Sequence, residues 1–377
     1  MVTSRVQPGT APPSDGLEGS PNLLGMDYES IVQKVEAHGG TPGQATNLMR
    51  GLHGARCRSI RDIANVNRGL LGRLESALSV EALRVHRVHR SRLSPGTRKL
   101  ILETRDGQLV ESVLFSSLGS PEKVTLCLSS QIGCRLACSF CATGHMGYSR
   151  NLGADEILAQ VWAAFDYFEE GEILNGVVFM GMGDPLDNEE AVLRSIDIMH
   201  DFRGFGIACD KITVSTTGIL PALGRLRRRY PRLSVAISLH AVSDELRSRL
   251  VPINRKYPLP DLMGVLRDNP PKTGKKYSIE YCLIEGVNDS VGEARALVNL
   301  LEGIQSLVQI IPLNSFPGLN MRPPAPGRIA AFATAIQESG GACHVRDSRG
   351  PDILAACGQL GGTMLESGPE PLFRDST

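Results

Sequence analysis

The chain has 377 residues, of which 42% are hydrophobic and 21% charged, as in a soluble globular protein with room for one large domain. Basic and acidic residues number 40 each, so any nucleic-acid binding must rest on local patches rather than on the net charge. There is no apolar run of about 18 residues and no export signal, which argues against a membrane protein and predicts a cytoplasmic one. The cysteines of such a chain point to metal binding or catalysis rather than to structural disulfides.

The first third of the chain is predicted to contain a tail, a helical domain and a β-hairpin. Residues 1–22 are rich in Gly, Pro and Ser and poor in large apolar groups, so we expect them to be disordered. In residues 23–80 apolar side chains recur at helical spacing, which predicts a small helical domain. Residues 81–123 change to the alternation of strands, with an Asp106-Gly107 turn between two of them, and predict a short β-hairpin extension.

Strand-like and helix-like segments then alternate from residue 124 to residue 362. Six such βα units can be counted, at the repeat that a parallel sheet with crossover helices requires. Six strands are too few for a closed eight-stranded barrel, so the predicted fold class is α/β with an open, partial (β/α)6 barrel. Residues 363–377 are expected to form a flexible tail.

Three cysteines, Cys134, Cys138 and Cys141, follow the first strand of this barrel in the sequence GCRLACSFC. A C-x3-C-x2-C loop supplies three thiolates to a [4Fe-4S] cluster, which normally takes four, and so leaves one iron open to a further ligand. This spacing is typical of the radical S-adenosylmethionine (SAM) superfamily, in which SAM binds the open iron. The alternative is a structural zinc site, but zinc prefers four ligands from two short Cys or His pairs, and only one such cluster is evident.

Polar clusters follow the other predicted strands, and in parallel α/β folds ligands bind at this rim. The turn GMGDP, which contains Gly183 and Asp184, lets a ligand approach the backbone closely and offers a carboxylate to an ammonium group. Ordinary βα loops use similar residues, so the turn alone is weak evidence. Further candidates also suit a turn, a helix cap or a structural histidine: Ser215, Ser238, His240 and Asn314.

Cys127 and Cys357 lie outside the cysteine loop, and spacing alone indicates no more than small buried hydrophobic residues. A resemblance gives them a role. The segments CLSSQIGCRLACSFCATG, GMGDPLDN, VSTTG, ISLHA, VPINRKY, PLNSFPG and VRDSRGPDILAACGQLGG occur in this order, and together they resemble the RlmN/Cfr family of radical SAM RNA methyltransferases. The resemblance extends over about residues 110–362, and its AACGQL motif is not a general feature of the superfamily. It implies a partial (β/α)6 barrel with a small helical N-terminal domain, and methylation of an adenine ring carbon in RNA.

The resemblance also implies roles for individual residues. Cys357 would carry the methyl group, Cys127 would resolve the intermediate, and Glu111 would accept a proton. The [4Fe-4S] cluster would be held by Cys134, Cys138 and Cys141. The SAM site would be lined by the GMGDP turn and the strand ends, at Gly183, Asp184, Ser215, Ser238, Leu239, His240 and Asn314.

The implied reaction uses two SAM molecules per turnover. The first methylates the Cys357 sulfur, and reductive cleavage of the second supplies a radical that activates the S-methyl group for addition to adenine. Cys127 then attacks the Cys357 sulfur, which releases methylated RNA and leaves a disulfide for external thiols to reduce. The expected partners are ribosomal RNA, transfer RNA as a further substrate, and a reductant such as flavodoxin. We expect a monomer that does not bind membranes.

Several alternatives stay open at this point. Carbon 2 of adenine is the predicted target and carbon 8, the antibiotic-resistance type, is its alternative. A radical SAM enzyme of another class and a non-catalytic zinc-binding module are the wider alternatives. Within the resemblance, Asp184 departs from the usual GMGEP turn by one methylene. RNA contact is predicted for the basic stretch 84–92 with Arg98 and Lys99, and next for the arginines at 225 and 227–229.

Overall fold

The computed structural model describes residues 20–117, 119–272 and 274–366. The predicted tails, 1–22 and 363–377, therefore lie largely outside the described residues. Residues at their inner edges are ordered: Asn22 caps the following turn and donates a hydrogen bond to the carbonyl of Glu81 (3.0 Å). No described helix has both the length and the apolar character needed to cross a membrane.

The described part of the chain contains twelve α-helices and twelve strands. The helices are α1 (Tyr28–Ala37), α2 (Pro42–Met49), α3 (Arg68–Glu75), α4 (Ala142–His145), α5 (Ala154–Phe165), α6 (Glu189–His200), α7 (Leu220–Arg229), α8 (Asp244–Leu250), α9 (Leu259–Asp268), α10 (Val291–Leu300), α11 (Pro326–Glu338) and α12 (Gly362–Glu366). The strands are β1 (Arg84–Arg90), β2 (Arg98–Glu103), β3 (Leu109–Ser117), β4 (Ser120–Cys127), β5 (Gln131–Gly133), β6 (Tyr148–Asn151), β7 (Ile173–Phe179), β8 (Ile212–Thr216), β9 (Ser234–Ser238), β10 (Tyr277–Leu283), β11 (Ser306–Pro312) and β12 (Cys343–Val345).

Ten of these strands form one open sheet in the order β1-β2-β3-β4-β7-β8-β9-β10-β11-β12. The six predicted strands of the barrel are β4 and β7–β11, and each pairs in parallel with its neighbour, which confirms the partial (β/α)6 barrel. The predicted hairpin is confirmed as the antiparallel pair β2–β3. Because β3 also pairs with β4, the hairpin and the barrel share one continuous sheet.

The N-terminal helices are short and defined by their caps. Asp27 caps α1 through the amide of Ser30 (2.9 Å), and Thr41 with Gln44 forms a capping box at α2. A single π-helical turn, Arg50–Gly54, follows α2. These helices bury apolar residues in the same core as the helix α5 of the barrel. The helical region predicted from periodicity is therefore observed, and it contains three α-helices.

His53, on the π-helical turn, is a buried histidine with a strongly shifted pKa. It is 2% exposed, and neither ring nitrogen has a hydrogen-bond partner among the described residues. Its ring packs against Phe205 with the centroids 4.9 Å apart. Burial lowers the pKa of His53 from 6.5 to about 3. The folded protein therefore keeps this ring neutral at pH values where the unfolded chain protonates it.

This shift predicts a pH-dependent loss of stability. The folded pKa is depressed, so the stability linked to His53 is complete above the unfolded value and falls as the pH drops from 6.5 towards 3. When the pH falls from about 7 to about 5, the wild type is expected to lose about 2 kcal/mol of unfolding free energy through His53. His53→Leu lacks this group and should not show that loss. Urea denaturation at the two pH values measures the difference, with the exposed His86→Leu as control. Equal pH dependence in wild type and His53→Leu would contradict the prediction.

Candidate functional site

A cavity of about 930 Å³ opens at the carboxyl ends of the barrel strands. We call it the barrel cavity. All three cysteines of the predicted cluster loop line it, together with the GMGDP turn and the ends of β8 and β9. The structure therefore brings together residues that lie more than 100 positions apart in the sequence, as the parallel topology requires.

The cysteine loop is held in place by a small second sheet and by backbone hydrogen bonds. β5 and β6 pair antiparallel around the loop, and Cys134 donates its amide to the carbonyl of Gly147 (2.7 Å). Gly133 has φ +71°, and a Cβ there would lie 2.0 Å from that same carbonyl oxygen, so this position requires glycine. The amide of Ser139 reaches the carbonyl of Leu250 (3.0 Å), which ties the loop to helix α8.

The donor chemistry of this loop fits a metal cluster. Burial raises the pKa of all three thiols, to about 12 for Cys134, and the neighbouring thiols raise those of Cys134 and Cys138 further. A positive metal centre would compensate the charge of three thiolates in such surroundings. Within the described ranges no three or more His, Cys, Asp or Glu side chains are grouped closely enough to bind a single metal ion. The fit therefore rests on three thiols that share one cavity wall.

The GMGDP turn brings backbone close to the cavity. Gly183 has φ +90°, and a Cβ there would lie 2.5 Å from the Gln131 side chain, so glycine is required. Gln131 also accepts a hydrogen bond from the amide of Asp184 (3.1 Å). The Asp184 carboxylate accepts hydrogen bonds from the hydroxyl groups of Thr216 and Thr217 and from two amides, those of Thr217 (2.8 Å) and Leu186 (2.9 Å). Asp184 thus joins the ends of β7 and β8, and protein donors already occupy its oxygens.

The remaining strand-end residues differ in whether they line the barrel cavity. Ser215 and Ser238 line the barrel cavity and are half-buried. His240 also lines it, but its Nδ1 accepts a hydrogen bond from the amide of Cys282 (3.0 Å), and burial lowers its pKa to about 3. The ring is therefore neutral. Leu239 is fully buried and does not line the cavity, so its predicted contact would be made through the backbone.

Arg247 is a site residue that the sequence reasoning missed. Its guanidinium is buried, and it donates to the carbonyls of Leu239 (3.0 Å), Thr217 (2.5 Å) and Ser238 (3.1 Å). Burial lowers its pKa to about 10, so the side chain still carries a positive charge at neutral pH. One buried cation therefore fixes the strand ends that form this wall of the cavity.

The C-terminal segment that carries Cys357 docks on the helix that follows the cysteine loop. The amide of Ala142 donates to the carbonyl of Gly358 (2.7 Å), and the hydroxyl of Thr143 donates to the carbonyl of Leu360 (2.7 Å). Asn314 donates to the carbonyl of Cys357 (3.1 Å). Asn314 does not line the barrel cavity, so in this structure it positions the Cys357 segment.

Cys127 and Cys357, which spacing could not connect, line one common cavity. This second cavity, of about 620 Å³, lies between β3, β4 and the C-terminal segment, and we call it the thiol cavity. Cys357 lines the barrel cavity as well. It keeps contact with solvent, yet the walls around it desolvate the sulfur and raise its pKa. Burial raises the pKa of Cys127 to about 12, and the Arg346 guanidinium opposes the shift at both thiols.

Glu111 does not line either cavity. It is completely buried and forms an ion pair with the equally buried Lys99 (3.1 Å). Its other oxygen accepts a hydrogen bond from the amide of Gly361 (2.8 Å), and Lys99 also donates to the carbonyl of Leu354 (3.2 Å). Burial raises the pKa of Glu111, and Lys99 opposes that shift. The pair holds both ends of the segment that carries Cys357.

The two predicted basic patches differ in the structure. In the first, Arg98 and Lys99 are buried in ion pairs, so that part of the prediction is wrong. Two arginines of β1 pair with acidic side chains, Arg84 with Glu103 and Arg90 with Glu169, but Arg87 on β1 and Arg92 after it are exposed. In the second, Arg227 is buried against backbone carbonyls, and two others pair with acidic side chains, Arg225 with Glu189 and Arg229 with Asp197. The β1 patch is therefore the better surface for an anionic ligand.

Comparisons with known proteins agree with this geometry. Residues 128–298 match the family model of the radical SAM superfamily. The chain is 41% identical to the dual-specificity RNA methyltransferase RlmN of Sorangium cellulosum, over 74% of this chain and 80% of that one. It is 40% identical to the dual-specificity RNA methyltransferase RlmN of Syntrophobacter fumaroxidans, over 88% of this chain and 95% of that one.

A solved structure extends the likeness to three dimensions. The crystal structure of a radical SAM methyltransferase from Sphaerobacter thermophilus superposes with a TM-score of 0.84 at 37% identity, over 90% of this chain and 98% of that one. Sequence and structure agree over nearly the whole length of these relatives. The chain belongs to the RlmN family of radical SAM methyltransferases.

Proposed function

We propose that this enzyme methylates carbon 2 of an adenine in RNA by way of an S-methyl group on Cys357. The observation that carries the proposal is the position of Cys357 on the walls of two cavities, one shared with the cysteine loop and the other with Cys127. A sulfur that receives a carbon unit from one ligand and passes it to another must face both. The RNA substrate is supported by the names of the relatives at 40–41% identity.

The residues of the barrel cavity suit a [4Fe-4S] cluster and SAM. Cys134, Cys138 and Cys141 would hold the cluster, and the backbone of the turn at Gly183, which lines the cavity, would face the methionine part of SAM. When bound, the pair supplies the radical chemistry that an unreactive ring carbon needs. Since protein donors already occupy the Asp184 carboxylate, we propose that it shapes the turn and that backbone groups make the SAM contacts. Other SAM contacts are proposed for Ser215, Ser238, His240 and the backbone of Leu239, whereas Asn314, which lines the thiol cavity, holds the Cys357 segment.

The two outer thiols have separate tasks in this proposal. Cys357 accepts a methyl group as its thiolate, because displacement at the methyl carbon of SAM needs a strong nucleophile. The Arg346 guanidinium supports this state, since its charge lowers the pKa of Cys357 against the effect of burial. Cys127 later attacks the Cys357 sulfur, so that a disulfide forms and the carbon–sulfur bond to the RNA adduct breaks.

Glu111 is proposed as the proton acceptor only with a rearrangement. Its ion pair with Lys99 and its bond to Gly361 support a positioning role for the C-terminal segment in the present conformation. To reach a ring proton, the carboxylate would have to leave Lys99 and enter one of the cavities.

The remaining proposals concern partners and organisation. Ribosomal RNA is the proposed substrate, with transfer RNA as a second one, which the words dual-specificity in the relatives' names support. A reductant such as flavodoxin, a monomeric state and a cytoplasmic location complete the proposal. The proposed domains are the helical region 23–80, the extension 81–123 and the barrel with its catalytic segment, 124–362.

The decisive experiment is identification of the product. Holoenzyme with SAM, a reductant and unmodified transcripts of ribosomal and transfer RNA should yield 2-methyladenosine, identified by mass spectrometry against synthetic standards. 8-Methyladenosine would favour the alternative regiochemistry. RNA that carries no new methyl group, although SAM is cleaved, would favour a radical SAM enzyme of another class.

A further inference from the structure

The two cavities that meet at Cys357 have different walls. Of the residues that the structure describes, three line both, Met180, Ile311 and Cys357. The barrel cavity contains the loop cysteines and the GMGDP turn, whereas the thiol cavity contains Cys127 and the loop 346–349 after β12. The proposed reaction needs two ligand sites on either side of the Cys357 sulfur. The structure offers two, and the chemistry of the first is that of the cluster and SAM.

We propose that the thiol cavity is the binding site for the target nucleobase, with Phe115 as its stacking surface and Asp347 as the acceptor for the amino group of adenine. This inference rests on the proposed function and adds the location of the substrate. It assigns the barrel cavity to SAM alone. It also explains why Cys127, which must react with the adduct at Cys357, lies in the thiol cavity rather than beside the cysteine loop.

The walls of the thiol cavity suit a flat aromatic ring. One side is apolar and includes Val113, Val178 and Leu360, and the ring of Phe115 is half-buried there. Stacking on aromatic side chains is the usual way in which proteins hold unpaired RNA bases. A base that reacts with a protein sulfur must leave the RNA stack, so it needs such a surface.

The opposite side of the thiol cavity is polar. Asp347 and Arg349 line it, and within the described part of the chain neither side chain has a hydrogen bond or ion pair that holds it elsewhere. A carboxylate accepts hydrogen bonds only. It can therefore accept a hydrogen bond from the amino group at position 6 of adenine. Asp347 is consequently a suitable acceptor for that group in this cavity.

The approach to the thiol cavity is also suited to RNA. The loop after β1 is attached to the segment next to the cavity, because Asp352 accepts hydrogen bonds from the hydroxyl of Ser91 (2.5 Å) and the amide of Arg92 (2.8 Å). Arg92 and the 72% exposed Leu93 stand at this junction. A cation and an apolar side chain next to the cavity provide contacts for phosphate and for a neighbouring base.

The test separates the two half-reactions. Intact-protein mass spectrometry follows methylation of Cys357, which needs only the barrel cavity, and product analysis follows methylation of a ribosomal RNA transcript. Phe115→Ala should retain Cys357 methylation, while its kcat/KM for RNA falls about tenfold or more because a stacking surface is lost. Asp347→Ala, at an exposed position that is safe for folding, should lower the same ratio roughly tenfold. Phe115→Tyr keeps the ring and should restore activity.

The matched control is Phe202→Ala, which removes an aromatic ring that is 82% exposed and lines neither cavity, and which should leave both half-reactions unchanged. Wild-type kcat/KM for RNA in both Phe115→Ala and Asp347→Ala would overturn the assignment. Loss of Cys357 methylation in either variant would also overturn it, since the effect would then lie in the barrel cavity. Failure of the wild type itself to methylate RNA would instead reject the proposed function.

Discussion

Replacement of Cys357 by alanine is expected to reduce RNA methylation at least about 1,000-fold, because it removes the atom that we propose carries the transferred carbon. No other thiol lines both cavities among the described residues, so none can take over this step. The variant should still bind its full content of iron and sulfide, because Cys357 is not one of the three loop cysteines. Nucleoside mass spectrometry and iron analysis of anaerobically purified protein measure the two properties.

The control for this experiment is Cys343→Ala. Cys343 is half-buried on β12 and lines neither cavity, so its replacement removes a thiol without touching the site. It should leave the methylation rate within about twofold of the wild type. If Cys357→Ala retained wild-type methylation, the carbon would pass directly from SAM to RNA and the S-methyl route would be wrong.

Replacement of Cys127 by alanine is expected to stop the enzyme at a later point. Cys357 should still become methylated and still form a carbon bond to the RNA base, but the thiol that breaks the carbon–sulfur bond is missing. Steady-state turnover should therefore fall at least about 100-fold. A covalent protein–RNA adduct should accumulate and appear as a slowly migrating band on a denaturing gel. Ribonuclease should convert this band to one that migrates faster.

Cys209→Ala serves as the control here, because Cys209 is a half-buried thiol outside both cavities. It should give free methylated RNA and no adduct. Release of methylated RNA at the wild-type rate from Cys127→Ala would mean that another group resolves the intermediate. In that case the neighbouring buried thiol of Cys282, which lines the barrel cavity, would be the first residue to replace.

Much of the barrel and of its site could be predicted from the sequence. The cluster loop, the GMGDP turn and the strand-end serines are local patterns, and the parallel topology places such patterns at one rim without knowledge of the packing. The predicted cavity lining is observed for Gly183, Asp184, Ser215, Ser238 and His240. The proximity of Cys127 and Cys357 came from the family resemblance, because no periodicity connects two cysteines 230 positions apart.

The residues that were missed or misread share a physical cause, which is the burial of charge. Arg247 lies in the sequence DELRSRL, which has the composition of a solvated helix, yet the packing of α8 directs this one arginine under the strand ends. Lys99 looked like part of a basic surface for the same reason. Sequence patterns show which residues are charged, but they do not show which of them will be buried against an opposite charge or a group of backbone carbonyls.

The strand β1 escaped prediction because its pattern is irregular. Its sequence, RVHRVHR, separates Val85 and Val88 by three positions, whereas an even strand alternates every two. In the structure the register shifts between Val85 and Arg87, and this bulge brings both valines against the core. An edge strand that combines exposed arginines with a bulge therefore has no simple periodic signature.

The continuous sheet that joins β1 to the barrel fixes the distance between the exposed arginines of β1 and the strand that ends at Cys127. Three inter-strand steps, from β1 to β4, separate the basic edge from the strand that ends at Cys127, a distance of about 14 Å at the usual spacing. Hydrogen-bonded strands keep this spacing, so an RNA that binds at the edge, as we propose, has to bring its adenine to Cys127 across a fixed distance. On that proposal, RNAs of different sequence that share the same spacing between backbone contact and adenine would all be substrates.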